Sequence, residues 1–130
     1  MPKKQDIKDP RQFIAQNRKA RFEYEILDKC EAGIVLQGSE VKSLRAGRAS
    51  LDEAYATIDL NEEIYLIHAQ IPEYPAASIF NHEPKRKRKL LLHKAEIQKL
   101  RSKLREKGLT LVPLSLYFKE GRVKLELALV

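Results

Sequence analysis

The chain has 130 residues, 43% apolar and 33% charged, with a net charge of +7 and one cysteine, Cys30. That supplies one domain with a true core and excludes an internal disulfide or a cysteine-based zinc site. No segment reaches the roughly 18 apolar residues of a membrane span, and the polar start MPKKQDIKDP is no signal peptide, so a cytoplasmic protein is the default.

Residues 1–16 read as a flexible N-terminal arm, with a short helical turn near Phe13 and Ile14, ahead of a single domain over residues 17–130. Phe22, Tyr24 and Ile26 alternate with Arg21, Glu23 and Glu25, which predicts a half-buried strand. Gly33-Ile34-Val35-Leu36 predicts a second, more buried one. A short helix is expected between Ser39 as its N-cap and Gly47 as its stop, with Glu40 at the positive end and Val41 and Leu44 inward. Two hairpins follow. Tyr55 to Leu60 and Ile64 to Ile71 flank Asn61-Glu62, and Leu109 to Phe118 and Arg122 to Val130 flank the three-residue loop Lys119-Glu120-Gly121. Pro113 cannot donate to a ladder and marks an edge or a bulge. Between the hairpins lie a loop from Pro72 to Pro84, a basic run, and a helix over 94–107 with His93, Ile97, Leu100 and Leu104 on its inner face. About six short antiparallel strands with flanking helices predict a mainly β fold, a small oligonucleotide-binding-like barrel.

The charge is concentrated. Lys85 to Lys107 holds eleven Lys or Arg against two Glu, a local +9 that leaves −2 for the remainder. A local cationic field on a near-neutral body attracts polyanions, and RNA is the favoured partner. Leu90, Leu91 and Leu92 are expected to be buried and to anchor Lys85, Arg86, Lys87, Arg88 and Lys89 against the body. With four to six of these side chains on phosphate, binding weakens with salt at a log–log slope of roughly −3 to −5. His68 and His93 read as structural; His82, in Asn81-His82-Glu83-Pro84 beside the run, either stacks on a base, donates to a phosphate or is structural too. There is no Gly-rich phosphate loop, nucleophile elbow or His-Glu-x-x-His motif. Neighbouring carboxylates such as Asp52-Glu53 diverge, so no catalytic group, metal or cofactor is expected.

Several stretches, in order, resemble the SmpB family. They are Asn17-Arg18-Lys19-Ala20, Glu31 to Leu36, Gly38 to Gly47, Asn81 to Pro84, Arg88 to Lys94, Gly108 to Leu114 and Tyr117 to Gly121. The resemblance implies an oligonucleotide-binding-like barrel that binds the tRNA-like domain of tmRNA near its elbow. It also implies delivery of alanyl-tmRNA, with elongation factor Tu, to stalled ribosomes in trans-translation, without catalysis. Carried over by motif, the RNA-binding candidates are Asn17, Arg18 and Lys19; Glu31 and Gly33; Lys42, Ser43 and Arg45; Asn81, His82, Arg88, Lys89 and His93; and Lys124, outward on the last strand. Lys85, Arg86 and Lys87 fall where the family's basic residues vary. Glu31 either accepts from a guanine edge or braces neighbouring cations. Members of that family continue into Gly-Lys-Lys and a long basic tail. This sequence stops at Val130 and reads as a core shortened by engineering or proteolysis, expected to bind tmRNA without supporting peptide tagging.

Overall fold

A computed structural model describes residues 9–76, 81–106 and 108–130. Among them are seven strands and three helices: β1 (Gln12–Gln16), α1 (Arg18–Glu23), β2 (Asp28–Ile34), α2 (Gly38–Arg45), β3 (Tyr55–Ile58), β4 (Ile64–Ile67), β5 (Arg88–Leu91), α3 (Lys94–Leu104), β6 (Leu111–Lys119) and β7 (Arg122–Leu129). All pairings are antiparallel. The ring runs β6-β3-β4-β5-β2-β7, and β7 pairs back onto β6, so six strands close a barrel. The expected architecture holds, although some of its elements are reassigned.

β6 is the spine, because its nine residues let one edge serve two neighbours. Leu111 pairs with Ala56 of β3, and Ser115 to Phe118 pair with β1, while β7 runs along the opposite edge. The register slips between Pro113 and Ser115. Pro113 lacks the N–H a regular ladder needs, and a bulge is where a sheet tolerates it. β6 and β7 join through Glu120 and Gly121 at φ 51° and 78°. This is a two-residue turn with positive φ at both positions, so the expected three-residue loop is one residue too long.

Two predictions fail near the N-terminus. The arm does not extend through residue 16: Gln12–Gln16 is β1, laid on β6, and residues 1–8 lie outside the described part. The strand expected over Phe22 to Ile26 does not form: Phe22 and Glu23 end α1, and Tyr24 to Ile26 lie in the connection that follows it. Asn17 caps this helix by accepting from the Ala20 amide at 3.1 Å, and it donates through Nδ2 to the Pro113 carbonyl at 3.0 Å. The cap fixes a helical start, and Ala20 alone of the helix is buried, against Val112, Leu114, Ala128 and Val130. Phe22 therefore stands 92% exposed. Capping and a small-residue seat prevail over the alternating pattern.

The main core fills the barrel. Ala32, Ala56, Ile64, Leu66, Leu90, Leu116, Leu125 and Leu127 come from the strands, Leu44 from α2, and Ile97 and Leu100 from α3. α3 covers one end, with Leu100 beside Cys30, Leu111, Leu127 and Leu129. α2 lies near the β6–β7 turn, where Arg45, Phe118 and Gly121 line one open pocket. The N-cap of α2 is Gln37, not Ser39, and Glu40 accepts from its amide at 2.8 Å. Helix α3 starts at Lys94, and His93 is its N-cap, standing exposed and not on the inner face. It ends at Leu104, with Lys107 outside the described residues. Among the described residues no helix is long and apolar enough to cross a membrane.

Candidate nucleic-acid interface

Inside and outside are exchanged on β5. Its sequence Arg88-Lys89-Leu90-Leu91 alternates with Arg88 and Leu90 buried and Lys89 and Leu91 exposed. Arg88 is 0% exposed. Its Nε donates to Glu40, also 0% exposed, and its other nitrogens donate to the carbonyls of Ala69 at 2.9 Å, Pro84 at 2.9 Å and Arg86 at 3.1 Å. Arg86 donates to both Glu40 oxygens and to the Val35 carbonyl. Burial raises the Glu40 pKa, but the Arg86 guanidinium, the Gln37 amide and Arg88 outweigh it, and the net shift is downward. One carboxylate thus holds two guanidiniums and ties α2 to the start of β5.

A second staple lies beside it. His82, 3% exposed, meets the Ile71 carbonyl through Nε2 at 2.7 Å and the Ser39 hydroxyl through Nδ1 at 2.8 Å. A carbonyl only accepts, so Nε2 carries the proton and Nδ1 accepts from Ser39. Phenylalanine at this position would fill the space but leave both partners unsatisfied. His82→Phe is expected to lower stability by about 1–3 kcal/mol, read in thermal unfolding. Asn81 is similarly occupied, accepting from the Tyr74 amide at 2.9 Å and donating to its carbonyl at 2.7 Å.

The residues that alternate outward make a continuous platform. Lys124 of β7 is paired with Gly33 of β2, Gly33 with Leu91 of β5, and Lys89 of β5 with Tyr65 of β4. Four adjacent strands set this face at roughly 15 Å across. Its floor is apolar and open: Leu91 is 51% and Val35 45% exposed. Gly33 keeps the floor low, since a Cβ there would approach the Leu91 Cβ to 3.2 Å. Cations border it. Lys87 Nζ sits 4.3 Å from the Tyr65 ring centre, and Lys89 makes an exposed 3.2 Å contact with Glu63. Beside Lys124 a groove opens, lined by Glu31, Gly33, Leu91, Leu92, His93 and Glu96, with a volume of about 470 Å³. Glu31 accepts from the Tyr117 hydroxyl at 2.6 Å and from Lys119 at 3.3 Å. Those two donors, the tyrosine foremost, hold its carboxyl below the usual range. A flat apolar floor with cations on its borders suits sugars and bases below and phosphates at the edges.

Burial pushes the Cys30 thiol up to about 11, which keeps it protonated and unreactive at neutral pH. Among the described residues no three of His, Cys, Asp and Glu gather as a metal site.

The family model described as SmpB protein matches residues 14–130. The chain belongs to the SmpB family. It is 60% identical over 119 residues to the SsrA-binding protein of Parafrankia sp. (strain EAN1pec), covering 92% of this chain and 75% of that one. It is 56% identical over 122 residues to the SsrA-binding protein of Desulforudis audaxviator (strain MP104C), covering 94% and 79% respectively. A chain in the solved structure "tmRNA-SmpB: a journey to the center of the bacterial ribosome" superposes with a TM-score of 0.74 at 48% identity, covering 93% of this chain and 82% of that chain.

Against this SmpB frame, the residues expected to touch RNA divide into two groups. Lys87, Lys89, Glu31, Gly33, His93 and Lys124 lie on or beside the platform; Lys85 is exposed ahead of β5, Arg18 and Lys19 are exposed on α1, and Lys42 and Arg45 on α2. Five of the expected residues are engaged within the protein itself. Asn17, at 6% exposure, is the cap and anchor of α1; Ser43, at 0%, is sealed under α2; His82 and Arg88 are the internal staples; and Asn81 spends its amide on Tyr74. Arg86 is largely committed to Glu40. Sequence reasoning missed Leu91, Val35, Tyr65 and Tyr117. Period-two alternation through Arg88-Lys89-Leu90-Leu91 was the available signal for Leu91: placing Leu90 inward forces Leu91 outward.

Proposed function

We propose that this chain is an RNA-binding adaptor, not an enzyme, that binds the tRNA-like domain of tmRNA and delivers it to stalled ribosomes in trans-translation. The observation that carries this reading is the outward platform of Leu91, Val35 and Gly33 bordered by Lys87, Lys89 and Lys124. It belongs to a family whose relatives are named SsrA-binding proteins and whose solved neighbour is a tmRNA–SmpB structure concerned with the bacterial ribosome. The contacting side chains in this reading are Lys85, Lys87, Lys89, His93, Lys124, Glu31 and Gly33, and Arg18, Lys19, Lys42 and Arg45 are the alternative phosphate contacts. Elongation factor Tu joins through alanyl-tmRNA, and the setting is the cytoplasm.

A preformed surface reads a folded shape, whereas a general single-strand binder accepts any flexible strand. In a competition titration, the tRNA-like domain is expected to displace labelled RNA at a concentration at least about tenfold below that of an unstructured RNA of equal length. Equal displacement by the two would replace this reading with that of a general single-strand binder.

A further inference from the structure

The cationic run does not stop at the platform; it continues into α3. Lys94, Gln98, Arg101 and, at the C-cap, Arg105 recur at spacings of four, three and four residues. They form one stripe along the helix, beside the face that buries Ile97 and Leu100. Lys89 and Lys94 line one open groove of about 320 Å³, so the stripe begins where the platform ends. At that junction stands the β3–β4 turn, with Glu62 and Glu63 lining the same groove. The turn is tightly built: Asp59 accepts from the amides of Asn61 at 2.9 Å and Glu63 at 3.0 Å, and Glu62 sits at φ 60°. Both carboxylates are held against the cations. Glu62 accepts from Gln98 at 3.0 Å and lies 3.6 Å from Arg101. Glu63 accepts from the Tyr65 hydroxyl at 2.8 Å and lies 3.2 Å from Lys89. Those two donors, the tyrosine foremost, hold the Glu63 carboxyl below the usual range. The Lys89 side chain stays 44% exposed, so it still serves the platform while the turn stands over the way to α3.

We propose that Glu62 and Glu63 are specificity-determining residues: standing in for phosphates on the stripe from Lys89 into α3, they keep flexible RNA strands from extending off the platform onto that helix. A flexible strand draws most of its affinity from phosphates on cations, and it would follow any unbroken cationic path. Two carboxylates set in the path remove that gain and add repulsion. A folded RNA held by the shape of the platform does not use the path, so it loses little. The turn widens the gap between the two kinds of ligand by weakening the unwanted one. This deepens the proposed function and rests on it for the identity of the preferred RNA.

The test combines Glu62→Gln with Glu63→Gln, which removes both charges and keeps acceptors for Gln98 and Tyr65. Binding is measured over a salt series to a transcript of the tRNA-like domain and to an unstructured RNA of equal length. The unstructured RNA is expected to bind the double variant about 5- to 20-fold tighter than wild type at low salt, with a log–log slope steeper by roughly 1 to 1.5, the share of two single-strand phosphate contacts. The tRNA-like domain should change by less than about twofold. Adding Lys94→Ala and Arg101→Ala to the double variant should return the unstructured RNA to its wild-type affinity and slope. In the wild-type background the same two alanines should change neither RNA by more than about twofold, because the turn already closes the stripe. Should the double variant fail to fold, Glu62→Gln alone, which uncovers Arg101, should give about half the change in slope. No gain, equal gains on the two RNAs, or a gain that survives Lys94→Ala and Arg101→Ala would each overturn the proposal. A wild type that does not prefer the folded domain would remove the proposed function instead, and the variants' response to unstructured RNA keeps the two failures apart.

Discussion

Glu40→Ala is expected to destabilise the protein by about 3–5 kcal/mol, the range for breaking a buried ion pair by removing one partner. Glu40 and Arg88 are both 0% exposed, and Arg86 shares the same carboxylate. Deleting the carboxylate leaves two guanidiniums facing one another with no counter-charge, and Arg88 cannot reach water. The loss is a large share of the total stability, which for a domain is about 5–15 kcal/mol. Arg86→Ala serves as the contrast. It leaves the neutral Glu40–Arg88 pair, and the Arg86 side chain is already 22% exposed, so about 1–2 kcal/mol is expected. Urea unfolding separates the two substitutions through their midpoints at unchanged m-values. Equal midpoints for Glu40→Ala and wild type would mean that the carboxylate is not the keystone of this end of the barrel.

The same group sets a pH dependence with a definite sign. The folded-state pKa of Glu40 lies below the ordinary 4.5. Its contribution is therefore complete above that ordinary value and is lost as pH falls through the folded-state value. Wild-type stability should decline on acidification below about pH 5. Glu40→Gln, which has no proton to take up, should start lower and decline less over that range.

Much of the fold was legible because its cues are local. Gly121 announced the last hairpin, alternation announced β7, and Ile97 and Leu100 at helical spacing announced α3. What was not legible depends on partners distant in sequence. Alternation with Leu90 points Arg88 inward, but nothing local shows that an arginine can be buried there, because its counter-charge, Glu40, lies 48 residues earlier. The alternation at Phe22 and Tyr24 was outweighed by an asparagine cap whose second anchor, Pro113, is 96 residues away. β1 was missed because Gln12 to Gln16, with Phe13 and Ile14 adjacent, reads as a helical turn until β6 offers an edge. For the site, clustering of charge located the region, but charge alone could not separate the lysines that face solvent from the arginines that hold the barrel together. Arginine's fork of donors suits it to buried carbonyls and carboxylates, while lysine's single charged head is left outside. In the run Lys85 to Lys89 the two residue types separate in that way: arginines in, lysines out.

That separation leads to the second large effect. If Lys85, Lys87, Lys89 and Lys124 each neutralise one phosphate, the log–log salt dependence of binding should be about −3 to −4, since each contact contributes roughly −0.9 on a duplex. Lys87→Ala, Lys89→Ala and Lys124→Ala combined should leave a slope near −1. Between 50 and 200 mM salt the wild type then loses affinity on the order of a hundredfold and the triple variant only a few-fold. The barrel itself should be unaffected, because these side chains lie outside the Glu40 network, and an unchanged unfolding midpoint verifies this. Arg86→Ala is the opposite case. Its guanidinium is turned to Glu40 and to the Val35 carbonyl, so the slope should remain at the wild-type value although stability falls. A triple variant that keeps the wild-type slope would place the phosphate contacts elsewhere, on Arg18 and Lys19 of α1 or Lys42 and Arg45 of α2. The β5 platform would then cease to be the RNA-binding face, because cations that touch phosphate must release counterions and cations that do not cannot.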